Sequence, residues 1–128
     1  NIAVGYESKY NYIIRKNSIV NCSFNPKKLD LLEMTDKMAE DVLKVYPDLE
    51  EAVLRRRVYA RFSTLNQMLD VNEYELEKKK IIYFIKDNKK HLLKNRNVPK
   101  RDIFAIRLLG SGYSFYKFFW KLYLKIEK

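Results

Sequence analysis

From Pro26 onward the apolar residues of this 128-residue chain recur at three- and four-residue spacing, whereas the stretch from Ala3 to Ile14 alternates in the manner of one or two edge strands. Alternation suits a half-buried strand, and the longer spacing suits an amphipathic helix. A strand needs a pairing partner, yet no second alternating run follows in the next hundred residues. The pattern therefore predicts a mainly α fold: a small bundle of four or five helices with a short extended segment at its N-terminus. Only three Gly and three Pro occur in the whole chain, which favours helices over a sandwich or barrel. Two parts are expected, residues 1–24 as the end of one domain and residues 25–128 as a helical domain.

Local signals place the helices. Asn25-Pro26 reads as a cap followed by proline at the first helical position, where the missing N–H costs nothing. The first helix should run to about Tyr46, burying a broad face of Leu31, Met34, Met38, Val42 and Val45 joined by Leu32, Ala39, Leu43 and Tyr46. Pro47 ends it. Asp48 and Glu51 have capping-box spacing for a second helix through Leu54, Val58, Phe62, Leu65 and Leu69. After a break at residues 70–72, Asn72 and Glu75 repeat that box, with Val71 and Leu76 spaced as a hydrophobic staple. The third helix should carry Ile81, Ile82, Phe84, Ile85, Leu92 and Leu93 inward. A basic linker, Asn95 to Val98, precedes Pro99, which opens a fourth helix through Ile103, Ile106 and Leu109. Gly110-Ser111-Gly112 interrupts it before an aromatic-rich segment from Tyr113 to Ile126.

Charge and cysteine content narrow the setting. Cys22 is the single cysteine, so no internal disulfide forms and a reducing compartment is the simpler expectation. Residues 1–77 hold 11 basic and 13 acidic side chains, a balance of −2, while residues 78–128 hold 15 and 3, a balance of +12. That asymmetry points the C-terminal half toward an anionic partner, lipid or nucleic acid. No run approaches the ~20 apolar residues of a membrane span.

Tyr10, Tyr12, Arg15 and Ser18 occur as Tyr-x-Tyr-x-x-Arg-x-x-Ser, followed by Ile19, Phe24 and then Leu29-Asp30 opening a helix. This tail resembles the closing segment of family 2 glycosyltransferases, the GT-A type enzymes that build bacterial capsule and cell-surface polysaccharides. The resemblance implies a parent enzyme that moves a sugar from a nucleotide-sugar donor to a lipid-linked or polysaccharide acceptor. It also implies a divalent metal, Mg or Mn, held by an upstream Asp-x-Asp. No Asp-x-Asp occurs here. Residues 1–24 would then be the last strand and turn of the catalytic domain, and the helical remainder would support that domain while being inactive alone, with no cofactor of its own. Residue 1 is Asn and not Met, as expected of a piece of a longer chain.

The resemblance places Arg15 and Ser18 as substrate-binding residues beside the donor and acceptor cleft. Arg suits pyrophosphate because its planar fork bonds two oxygens at once; the other reading is that Arg15 only ties the turn to the helices. Tyr10 and Tyr12 read as packing residues. Arg55, Arg56, Arg57 and Arg61 look like a phosphate patch, but Glu51 and the acids of the first helix are expected to engage them as solvated ion pairs. His91 has no second ligand near it and reads as a surface histidine. Glu73, Glu75 and Glu77 before Lys78, Lys79 and Lys80 read as first-turn acids and a solvated basic face.

The final segment differs in kind. Lys117, Lys121, Lys125 and Lys128 share a narrow wedge, and aromatic or aliphatic residues fill nearly all the rest. Such a helix either packs on protein or lies in lipid, with Lys117, Trp120, Lys121 and Lys125 as the membrane-docking set. The location expected is cytoplasmic and peripheral at the inner face of the cell membrane. Partners expected are the upstream catalytic domain, nucleotide sugar and glycan acceptor, an anionic membrane surface, and a second copy paired through the edge strand. The competing readings are a basic helical module binding nucleic acid, against which stands the lack of a helix-turn-helix or spread basic groove, and a structural interaction domain.

Overall fold

A computed structural model describes residues 24–126, and among these the chain forms six α-helices and no strand. Helix α1 spans Asp30–Val45, α2 Glu50–Gln67, α3 Glu75–Asp87, α4 Lys89–Lys94, α5 Lys100–Ser111 and α6 Tyr113–Ile126. They make a small helical bundle, as the spacing predicts, with one helix more than the expected upper number. The extended segment expected at the N-terminus, its expected pairing with a second copy, and Arg15 and Ser18 all fall outside the described residues.

Entry to the bundle follows the local signals. Asn25 is extended and its Oδ1 accepts a hydrogen bond from the Lys27 N–H at 3.0 Å, while Pro26 opens a short 3-10 turn, Pro26–Leu29, that runs into α1. At the far end Tyr46 leaves the helical region (φ −130°, ψ 75°) ahead of Pro47, which restricts the residue before it to such extended values. Pro99 immediately precedes α5.

Both capping boxes fail, for separate reasons. Asp48 is consumed by a second 3-10 turn, Pro47–Leu49, so α2 starts at Glu50 without a side-chain cap. Ahead of α3 the chain is turned by Tyr74 in the left-handed region (φ 61°, ψ 39°), its ring held edge-on to Phe24 at 5.5 Å, and Asn72 caps nothing. Leu76 is 70% exposed, so no staple with Val71 forms. The α2–α3 connection is instead tied by Lys78, which is buried and not on a solvated face: its ammonium donates to the Val71 carbonyl and to Glu75 Oε1. The expected third helix is split at Asn88, whose side chain donates to the Phe84 carbonyl at 2.9 Å and so competes with continued helix. Gly110 and Ser111 stay inside α5, and the break falls on Gly112 at φ 136°, a region that L side chains rarely adopt.

The core lies between α2, α3, α5 and α6. Leu65, Met68, Ile85, Ile106, Leu109 and Tyr116 are essentially without solvent contact. Tyr116 sits at the centre. Its hydroxyl donates to Asn66 Oδ1 at 2.6 Å, its ring stacks on Trp120 at 5.7 Å, and Phe62 lies 6.0 Å away. Burial pushes the Tyr116 hydroxyl far above the usual phenol range, as it raises Tyr113.

Helix α1 packs on α2 through one edge of the expected face: Ala39 is buried, Leu32 packs on the core and Leu43 is half-buried beside Val53 and Leu54. Only Thr35 and Ala39 are buried along it, whereas Leu31, Met34, Met38 and Val45 are exposed. The inner edge also carries Asp36. Its Oδ1 accepts from Arg57 Nε at 2.7 Å and its Oδ2 from Arg61 Nη2 at 2.7 Å, and Arg61 is itself buried with its guanidinium 3.6 Å from the centre of the Phe84 ring. With that cluster on the inner side, the Met34, Met38 and Val45 edge of the apolar face stays exposed.

Candidate functional site: two open apolar faces and an arginine cleft

Helix α6 divides into three sectors. Tyr116 and Trp120 point into the bundle, so Trp120, at 5% exposure, is a core residue and takes no part in a lipid-facing surface. The reason is periodic: Trp120 lies four residues beyond Tyr116 and therefore on the same side. Opposite them Phe115, Phe118, Phe119, Leu122 and Ile126 form an exposed stripe, in which Phe119 stacks on Phe115 at 6.5 Å and meets Phe118 edge-on at 5.3 Å. Lys117, Lys121 and Lys125 border that stripe at four-residue spacing. Lys121 reaches back to Asp70, and the hydrogen bond and charge of Lys121, with a smaller contribution from Lys117, hold the Asp70 carboxyl below its usual range.

A second open face belongs to α1. Met34, Met38, Val42, Val45 and Tyr46, with Lys37 and Asp41 at the rim, line a shallow hollow of about 490 Å³. They belong to the face whose spacing marks it for burial; Met34, Met38, Val45 and Tyr46 are exposed and Val42 is half-buried.

The four arginines of α2 separate by face. Arg57 and Arg61 turn to α1 and are spent on Asp36, which gives the expected ion pairing, although Arg61 is buried and not solvated. Arg55 and Arg56 do not follow: among the described residues neither is in an ion pair, and Glu51 does not engage Arg55. Ala52, Arg55, Arg56 and Tyr59, at positions i, i+3, i+4 and i+7, share one side of α2 and face Pro99, Arg101 and Asp102 across a cleft of about 420 Å³. The Arg56 guanidinium lies 5.6 Å from the Tyr59 ring centre, and Arg101 Nε reaches Asp102 only at 3.4 Å. Beyond Tyr59 the cleft continues as a hollow of about 280 Å³ along Ser63, Gln67 and Trp120. Arg101 was not legible as a partner of Arg55 and Arg56, because 45 residues separate them and only the packing of α5 brings them together.

His91 is exposed on α4, as its isolation predicts. Among the described residues no three His, Cys, Asp or Glu side chains converge on one point. No helix among them is long and apolar enough to cross a membrane. No family model, curated protein or solved structure matches the chain.

Proposed function

We propose that this chain is the helical accessory region of a GT-A type glycosyltransferase of cell-surface glycan synthesis, seated on its catalytic domain through the open face of α1 and on an anionic membrane through the stripe of α6. The observation that carries the reading is the position of the α1 face. It follows directly on the segment bearing the glycosyltransferase-like residues, is patterned for burial, and is left open by the five helices behind it. Exposed apolar surface of this kind, rimmed by polar residues, marks an interaction site. Sugar transfer itself belongs to the catalytic domain in this reading, and the helical region acts by holding that domain in place.

The membrane contact rests on Phe115, Phe118, Phe119 and Leu122 for insertion and on Lys117 and Lys125 for attraction, Lys121 being engaged by Asp70. Two lysines near an anionic surface contribute on the order of 2 kcal/mol, and each fully inserted large apolar side chain roughly 1.5–3 kcal/mol. The expected result is co-sedimentation with phosphatidylserine-containing vesicles that weakens with salt. Phe118→Glu with Leu122→Glu should reduce binding by about tenfold or more, given those magnitudes. Equal binding to neutral vesicles, or no effect of the double substitution on a folded chain, would remove the membrane from the reading.

A further inference from the structure

The arginine cleft between α2 and the start of α5 is not used by either docking face. Its charge is unbalanced: Arg55, Arg56 and Arg101 face it, and Asp102 is the one carboxylate among its lining residues. Where this helix has an acid to meet, its arginines take it, as Arg57 and Arg61 do with Asp36 at 2.7 Å. Arg55 and Arg56 are exposed beside Arg101 with no anion among the described residues to balance the three charges. The positive end of the α5 dipole opens at the same place, through Lys100 and Arg101 of its first turn.

We propose that this cleft binds a small phosphomonoester, its phosphoryl group bonded by Arg55, Arg56 and Arg101 and its uncharged polar ring lying along Tyr59, Ser63 and Gln67. Guanidinium forks match phosphoryl oxygens two at a time and keep their charge at every physiological pH, which ammonium groups do less well. The volume is that of a small-ligand site. Tyr59, 45% exposed, supplies an apolar ring face beside the charged end, and the hydroxyl of Ser63 and amide of Gln67 supply donors and acceptors beyond it. A polynucleotide would need a basic groove tracking many phosphates, whereas these arginines are gathered at one point. The proposal stands on residues of this chain and is independent of the glycosyltransferase reading.

The ring-bearing ligand has two sources, a sugar phosphate or a nucleotide, and a titration of the 128-residue chain followed by ¹H–¹⁵N NMR separates them. The probes are a hexose 1-phosphate, adenosine monophosphate, the free hexose and inorganic phosphate. Either phosphomonoester should shift the arginine Nε–H signals of Arg55, Arg56 and Arg101 and bind more tightly than inorganic phosphate; the tighter of the two names the source. Free hexose should leave those signals unmoved. Arg55→Ala and Arg101→Ala should each weaken binding by about tenfold, the loss of one charge-assisted contact, with thermal melts unchanged because both side chains are exposed. Tyr59→Ser should weaken phosphomonoesters but not inorganic phosphate. Absence of shifts in the three arginines, affinity no better than that of inorganic phosphate, or indifference to Arg55→Ala and Arg101→Ala would each overturn the proposal.

Discussion

Replacement of Tyr116 by Ala is expected to destabilise the bundle by about 3–5 kcal/mol, the cost of emptying a fully packed aromatic site. Tyr116 has no solvent contact and joins α6 to α2 through both ring and hydroxyl, by way of Phe62 and Asn66. It also supports Trp120, which stacks on it and has no hydrogen-bond partner for its Nε1–H among the described residues, so the indole is held by packing alone. Tyr116→Phe should cost only about 1 kcal/mol, because the ring remains and half-buried Asn66 regains water in place of the lost hydroxyl. Urea denaturation followed by circular dichroism distinguishes the two. Near-equal losses for Ala and Phe would mean that the hydrogen bond, and not the packing, fastens α6.

Asp36→Ala should be the most damaging change of a charged residue, at about 2–3 kcal/mol. That is below the ~3–5 kcal/mol for breaking a fully buried pair, because Asp36 and Arg57 keep partial contact with water. The loss falls mainly on Arg61, whose guanidinium would remain buried over Phe84 without its carboxylate. The same cluster sets an acid limit. Burial pushes the Asp36 carboxyl up, but hydrogen bonds from Arg61 and Arg57, and their charges, outweigh it and leave it below the usual carboxylate range. A carboxyl lowered by folding contributes stability that is fully present above its unfolded value, near 3.9, and is lost as pH falls through the folded value. Urea midpoints measured from pH 6 down to pH 2.5 should therefore fall more steeply for the native chain than for Asp36→Asn. Parallel curves would show that Asp36 is not the group responsible.

Helix boundaries set by proline were legible because the constraint acts within one or two residues: Pro26, Pro47 and Pro99 each stand where a helix or its leading turn begins or ends. The capping boxes at Asp48 and Asn72 were not, since a 3-10 turn and the left-handed Tyr74 supplied other ways to start α2 and α3. Periodicity located the apolar face of α1 and the inward turn of Leu32, Ala39 and Leu43, but not that its Met34, Met38 and Val45 edge stays exposed. The inner edge also carries Asp36, which meets two arginines more than twenty residues away, a contact that spacing within α1 does not reveal. In α6 the lysine wedge was readable, whereas the assignment of Trp120 to the surface failed because the helix has apolar residues on two sides and only tertiary packing selects the inner one. Lys78 reads like its neighbours Lys79 and Lys80 and is distinguished from them only by burial beneath the α2–α3 connection. The arginine cleft required α5 to be placed against α2.

The proposal that these helices serve a sugar-transferring enzyme is tested most directly by nucleoside diphosphate release. The native protein carrying residues 24–126, purified from its source with an antibody to the helical region, would be incubated with a panel of nucleotide sugars and Mg or Mn. The account predicts release from at least one donor that stops when the metal is chelated. Absence of release from every donor, by a folded protein with metal and membrane acceptor extract supplied, would contradict it.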